Sequence, residues 1–209
     1  MKTPCVFIGV GGHAKVLCDE LPSVWELKVL LADASASSTD IAYFKALGVE
    51  VLEESHTTFE VLKRQGIHHA FVAIGDNVLR QTLTHQWQAL GFCVPNFVSE
   101  QAYVAQTAHL GDYGIQILGG SHIGANAHVA NGCLINHHAI LEHDGSLGVF
   151  SHLAPNAVML GGARVGSSCL IGANATILPS IHITDACTIG AGSVVCHSVM
   201  QSGIYKGII

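Results

Sequence analysis

Residues 140–162 read ILEHDGSLGVFSHLAPNAVMLGG. Leu141, Leu147, Leu153 and Met159 recur at intervals of six, and Gly145, Ser151, Ala157 and Ala163 each follow four residues later. A helix repeats its buried side every 3.6 residues or so and a strand every two, so neither produces a strict six. A coil of three short strands, each sending one large and one small side chain inward, does.

The register runs far beyond this stretch. Ile117, Ile123, Val129, Ile135, Leu141, Leu147, Leu153, Met159, Val165, Ile171, Ile177, Ile183, Ile189 and Val195 keep it without a break. The position four residues on is small throughout, from Ser121 to Ser193, except at Ile181. Two earlier hexads, at Val104 and Leu110, precede a one-residue slip. With three hexads per turn and strands about 4.8 Å apart, residues 104–200 predict on the order of five turns and a prism roughly 25 Å tall. Gly or Asn recurs between the apolar positions, as in IGANAH and IGANAT, where tight corners call for positive φ.

Before Pro95 the pattern differs. CVFIG, KVLLAD, HAFVAIG and FCVPNFV read as buried strands, and HAKVLCDEL, HTTFEVLKRQ and NVLRQTLTHQWQAL as helices between them. The alternation predicts a small, mostly parallel α/β sheet over residues 1–95, with the repeat domain over 96–209. GVGGHA follows the first strand and opens a helix, which is the setting in which backbone N–H groups meet a phosphate. Asp33 closes the next strand, where a carboxylate holds ribose hydroxyls in dinucleotide folds. About 95 residues supply only one mononucleotide half of such a fold, which argues against NAD.

Composition narrows the function. Fifteen acids against nine bases leave a formal charge of −6, and no basic run exceeds Lys63–Arg64, so nucleic acid is not an expected partner. No apolar run reaches the roughly 20 residues of a membrane span, and the N-terminus lacks a signal-peptide pattern, so a cytoplasmic location without membrane insertion is expected. Seven cysteines with no CxxC fit neither a disulfide framework nor a zinc knuckle and read as free thiols. Cys133, Cys169 and Cys187, with Ser151 in the gap, fall in one interior column and read as small packing groups.

The repeat assigns a direction to each of the histidines in the opening stretch. His143 is third in its hexad and His152 sixth in the next, so both face outward. Nine residues is half a coil, which puts them on different edges of one prism, able to meet only across a subunit boundary. Asp144 stands ready to orient His143 and raise its basicity, an arrangement suited to taking a proton from an attacking amine or hydroxyl.

The hexapeptide pattern resembles the left-handed β-helix of the hexapeptide-repeat acyltransferases. The set FIGVGGHAKV, AIGDN, EHD and FSH narrows the resemblance to the NeuD/PglD-type sugar acetyltransferases, over nearly the whole chain. The resemblance implies a Rossmann-like nucleotide-sugar-binding domain at 1–95, a left-handed β-helix acetyltransferase domain at 96–209, and a homotrimer. It implies His143 as general base supported by Asp144, which stands where relatives carry the longer Glu. It implies His152, Gly161, Ala173 and Ala191 along acetyl-CoA, with the Gly161 backbone as donor to a developing oxyanion. Gly11, Gly12, His13, Asp33 and Gly75 form the implied substrate-binding set.

The expected activity is acetyl-CoA-dependent N-acetylation of a nucleotide-linked amino sugar, such as a UDP-4-amino sugar, without a metal, feeding a surface glycan. O-acetylation of sialic acid or a related sugar stays open beside it, since imidazole serves amine and hydroxyl alike. Two other classes also stand. One is a γ-carbonic-anhydrase-like zinc enzyme, for which His138 and His143 have suitable spacing but Ala102 occupies the place of a third ligand. The other is a non-catalytic scaffold, which accounts for the repeat but not for the glycine loop, Asp33 and EHD together. The residues do not name the sugar, its nucleotide or the glycan pathway. The tail SGIYKGII lacks the Gly-x-Pro-Ala-Lys loop that relatives place near CoA.

Overall fold

The computed structural model describes residues 1–33 and 36–209, and they group into two units, Met1–Pro95 and Asn96–Ile209. The first unit is a four-stranded parallel sheet of β1 (Thr3–Ile8), β2 (Trp25–Ala32), β3 (Glu50–Glu53) and β4 (His69–Val72), in the order β3-β2-β1-β4. Its helices are α1 (Gly12–Asp19), α2 (Ser38–Ala46), α3 (His56–Arg64) and α4 (Asn77–Ala89). The central strands bury Cys5–Ile8 and Val29–Ala32 as unbroken apolar runs, as expected when a parallel sheet is covered on both faces. Ser37, Ser55 and Asp76 each accept a backbone N–H three residues on and so start α2, α3 and α4. α1 opens at Gly11 with no side-chain cap.

Two of these elements, α2 and β3, lie outside the sequence reading. α2 buries only Phe44 and carries almost no apolar stripe, while β3 is four residues with no fully buried side chain. FCVPNFV is corrected as well. Cys93 makes only an isolated bridge to His69, and Phe97–Val98 is the first rung of the second unit.

That second unit is a three-sided parallel β-helix with faces of seven, six and five strands. All fourteen hexad positions from Ile117 to Val195 are buried in one core with the small column beside them. Ile181, the large exception, is only partly buried. Its five-stranded face ends at His182–Ile183, beyond which there is only a bridge from Ile183 to Val199, so the last layer has room for a bigger side chain. The slip falls between Leu110 and Ile117, where Gly114 (φ +70°) turns the chain and Ile115 fills the interior.

The column is taller than the hexads alone predict. Phe97–Val98 starts one face and the tail strand Gly203–Tyr205 pairs with Cys187–Ile189 to close it, so seven strands span roughly 29 Å. Corners use left-handed backbone at Asn126, His138, Asp144, Asn156 and Asn174 as well as at glycines. Asn and Asp tolerate that conformation better than other residues with a Cβ.

Candidate functional site

His143 and Asp144 form the corner between the six-stranded face, after Ile140–Leu141, and the five-stranded face, before Ser146–Leu147. The turn holds Asp144 in left-handed backbone at φ +58°. His143 Nδ1 donates to Asp144 Oδ2 at 2.8 Å, so the Asp side chain is long enough to reach the imidazole. The other carboxylate oxygen accepts from Asn126 Nδ2 at 2.7 Å. Asn126 sits one coil earlier and was not among the residues singled out from sequence. Its signal is the eighteen-residue offset to Asp144, which has meaning only once three hexads close a coil.

The electrostatics follow from this chain. The hydrogen bond to Asp144 raises the His143 pKa, and the charges of Asp144 and Glu142 add to it. The bonds from His143 and Asn126 hold Asp144 below the usual carboxylate range. With Nδ1 tied to the carboxylate, neutral His143 presents Nε2 as its basic nitrogen. More than half of the imidazole side chain is exposed, at 62%.

Gly161 lies one coil above. A Cβ there would stand 2.6 Å from His143 Nε2, so the missing side chain lets the ring rest against the Gly161 backbone. Gly161 has no positive φ, whereas Gly162 beside it does at +68°. The Gly161 carbonyl accepts from Ser180, and Gly162 N–H donates to the His143 carbonyl, while the Gly161 N–H has no acceptor among the described residues.

The remaining residues of the implied CoA set fall elsewhere on the same chain. His152 is on the seven-stranded face, half-buried, with Nε2 3.3 Å from Asn136 Nδ2. Asn136, whose Oδ1 accepts from His137 N–H, is a further residue that sequence reasoning passed over in the motif INHH. Ala173 and Ala191 stack at the corner between the seven- and six-stranded faces, where Gly192 N–H donates to the Ala173 carbonyl at 2.8 Å. Lys206 of the tail packs against Gly190 at that corner. One chain therefore joins His143, Asp144 and Gly161 and keeps them apart from His152, Ala173 and Ala191.

In the first unit, a pocket of about 250 Å³ is bordered by Gly9, Gly11, Asp33, Ser37, Asp40 and Ile74. Gly9 is the glycine this turn requires, with φ +102° and Ile74 2.8 Å from where a Cβ would stand. Around Gly11 and Gly12 such an atom would meet nothing, so the backbone there is open to approach. Lys15 Nζ pairs with Asp40, which also accepts from Ser37. Gly75 does not border the pocket. The wholly buried Arg80 donates to its carbonyl at 2.9 Å, which gives that position a structural partner. His13 follows Gly12 in the first turn of α1.

His138 lies at a different corner from His143, packed on Gly120. Among the described residues no group of three or more His, Cys, Asp or Glu side chains is placed to hold a metal ion. No helix among them is long and apolar enough to cross a membrane.

Comparison with known proteins agrees with this architecture. The PglD N-terminal domain family matches residues 5–87, and the bacterial transferase hexapeptide family (six repeats) matches residues 162–197. PerB from Caulobacter crescentus, solved with CoA and GDP-perosamine, is 32% identical with a TM-score of 0.87, over 98% of this chain and 94% of that one. The acetyltransferase domain of PglB from Neisseria gonorrhoeae, solved with acetyl coenzyme A, is 26% identical with a TM-score of 0.84, over 99% and 97%. WeeI from Acinetobacter baumannii, at 15% identity and TM-score 0.53 over 95% and 93%, shares the fold. With an α/β unit followed by a left-handed β-helix, the chain belongs to the NeuD/PglD-type sugar acetyltransferases of the hexapeptide-repeat acyltransferase family.

Proposed function

We propose that this protein transfers an acetyl group from acetyl-CoA to the amine of a nucleotide-linked amino sugar, with His143 as general base. The observation that carries the reading is the Asn126–Asp144–His143 chain at an exposed corner, in a protein 32% identical to one bound to CoA and GDP-perosamine. Asp144 fixes the ring through Nδ1, so Nε2 takes the proton as the amine attacks. The Gly161 N–H, beside that nitrogen and without an acceptor among the described residues, serves as donor to the oxygen on which negative charge grows. Acetyl-CoA supplies the activated thioester: as the tetrahedral intermediate collapses its C–S bond breaks, and the CoA sulfur leaves as the thiol with the proton carried on His143 Nε2. The open backbone around Ala173 and Ala191, with His152 and Lys206, would hold it.

Gly11, Gly12 and His13 at the uncapped start of α1 receive the phosphates, and Asp33 the ribose. Gly75 shapes the neighbouring turn through its bond from Arg80. Three copies complete the enzyme. The six-stranded face presents Ile140, Val158, Thr176 and Val194 in one outward, half-buried column, while the five-stranded face presents His109, His128, Ser146, Arg164 and His182. The apolar column is the natural subunit contact, and it brings His152 of one copy to His143 of the next. A location in the cytoplasm, where acetyl-CoA and nucleotide sugars are made, completes the reading.

The test is thiol release from acetyl-CoA with a panel of UDP-, GDP-, dTDP- and CMP-linked amino sugars. Release that depends on one of them, with mass gain on the sugar nitrogen, is the expected result. Transfer only to a sugar hydroxyl, or no release with any of them, would overturn the reading.

A further inference from the structure

Asp33 also borders a second pocket, which the proposed mechanism leaves unused. It encloses about 510 Å³ at the carboxyl ends of β2 and β3 and is lined by Asp33, Glu53, Glu54, Ser55 and Gln86, with Ala32 and Phe59 as its apolar wall. That volume suits a planar ring system. Neither lysine nor arginine is among the lining residues. Glu54 is half-buried and accepts from Gln86 Nε2 at 3.3 Å, while burial and the Asp33 charge push its pKa up. The indole of the wholly buried Trp87 acts on that carboxyl in the opposite sense, lowering its pKa. The pocket thus gathers three carboxylates, with the Ser55 hydroxyl and the Gln86 amide, beside an apolar wall.

We infer that this pocket holds the base of the nucleotide and that Glu54 selects guanine. The inference rests on the proposed reading of the first unit as a nucleotide site. Guanine presents a ring N–H and an exocyclic amine side by side, and a single carboxylate accepts both. Uracil and thymine present one N–H between two carbonyls, which would face carboxylates of like partial charge. Adenine and cytosine place an exocyclic amine next to a ring acceptor, so only one of two bonds forms. Phe59 and Ala32 supply the apolar contact a base needs on its faces. Asp33, common to both pockets, stands where the ribose joins the base to phosphates at Gly11 and Gly12.

Calorimetric titration of the full chain with GDP, UDP, dTDP and CDP tests this directly. GDP should bind at least roughly tenfold tighter than the other three, the discrimination a bidentate contact gives. Glu54→Gln, which keeps the shape but removes the charge and replaces one acceptor by a donor, should erase that margin by weakening GDP without weakening UDP. UDP binding as tightly as GDP, with Gly11→Val abolishing both, would keep the nucleotide site and overturn guanine selection. An unaltered GDP preference in Glu54→Gln would also overturn it, as would an equal loss for every nucleotide. Failure of all four to bind the intact protein would remove the nucleotide reading and this inference together.

Discussion

Gly161 makes room for the His143 ring by having no side chain. Its φ is ordinary, so alanine fits the backbone, yet the added methyl would meet His143 Nε2 at 2.6 Å. Gly161→Ala should displace the imidazole and lower kcat by about a hundredfold, with little change in Tm, because a 1 Å misplacement of a reacting group costs about that much. Gly162→Ala should do the reverse, losing about 1 kcal/mol of stability to its left-handed φ of +68° while the ring stays in place. At Asp144 the effect is on pH. The hydrogen bond raises the His143 pKa, so the neutral, proton-accepting form gains only as pH rises through that raised value. In Asp144→Asn the acidic limb of the kcat/KM profile should move to lower pH, toward the ordinary histidine value near 6.5, and the plateau should fall. An unmoved limb would show that Asp144 does not tune the base. Asp144 was legible because it adjoins His143 in sequence. Asn126 was not, since nothing local connects it to a carboxylate eighteen residues on.

Within a single coil the six-residue beat is a packing rule with a measurable strength. Leu153 is wholly buried, and Leu153→Ala should cost roughly 2–5 kcal/mol by denaturant unfolding, the range for a leucine cavity in a packed core. The polar members of the small column do a second job. Ser151 Oγ donates to the half-buried Gly166 carbonyl at 2.7 Å and accepts from the buried Cys169 N–H at 2.9 Å, so Ser151→Ala removes both bonds and should cost about 1–3 kcal/mol despite nearly conserving volume. Cys133, Cys169 and Cys187 lie buried in that same column, and burial pushes the Cys169 thiol up to about 11, so they are packing groups with little thiolate. The β-helix could be read from sequence because each rung repeats one pattern. α2 and β3 could not, because a helix burying only Phe44 and a strand with no buried residue leave no periodic trace. FCVPNFV misled for a related reason: an apolar run shows that a segment is buried, not which unit buries it.

Across the whole molecule, the separation of His143 and Gly161 from His152, Ala173 and Ala191 on one chain is what calls for neighbours. Val158→Asp, in the middle of the apolar column, should break the proposed trimer into monomers by light scattering while its circular dichroism is retained, and activity should fall with it. Equal mixtures of His143→Ala and His152→Ala subunits, unfolded and reassembled, should recover part of the activity if each cleft draws on two chains. Verified mixed trimers with none would place the two histidines in separate roles. The most direct test is single-turnover acetyl transfer by His143→Ala with saturating acetyl-CoA and the preferred nucleotide-linked amino sugar. A rate lower by about 10²–10⁴, in a protein of unchanged oligomeric state and Tm, is the predicted result. A rate within a few fold of the unaltered enzyme would contradict the account.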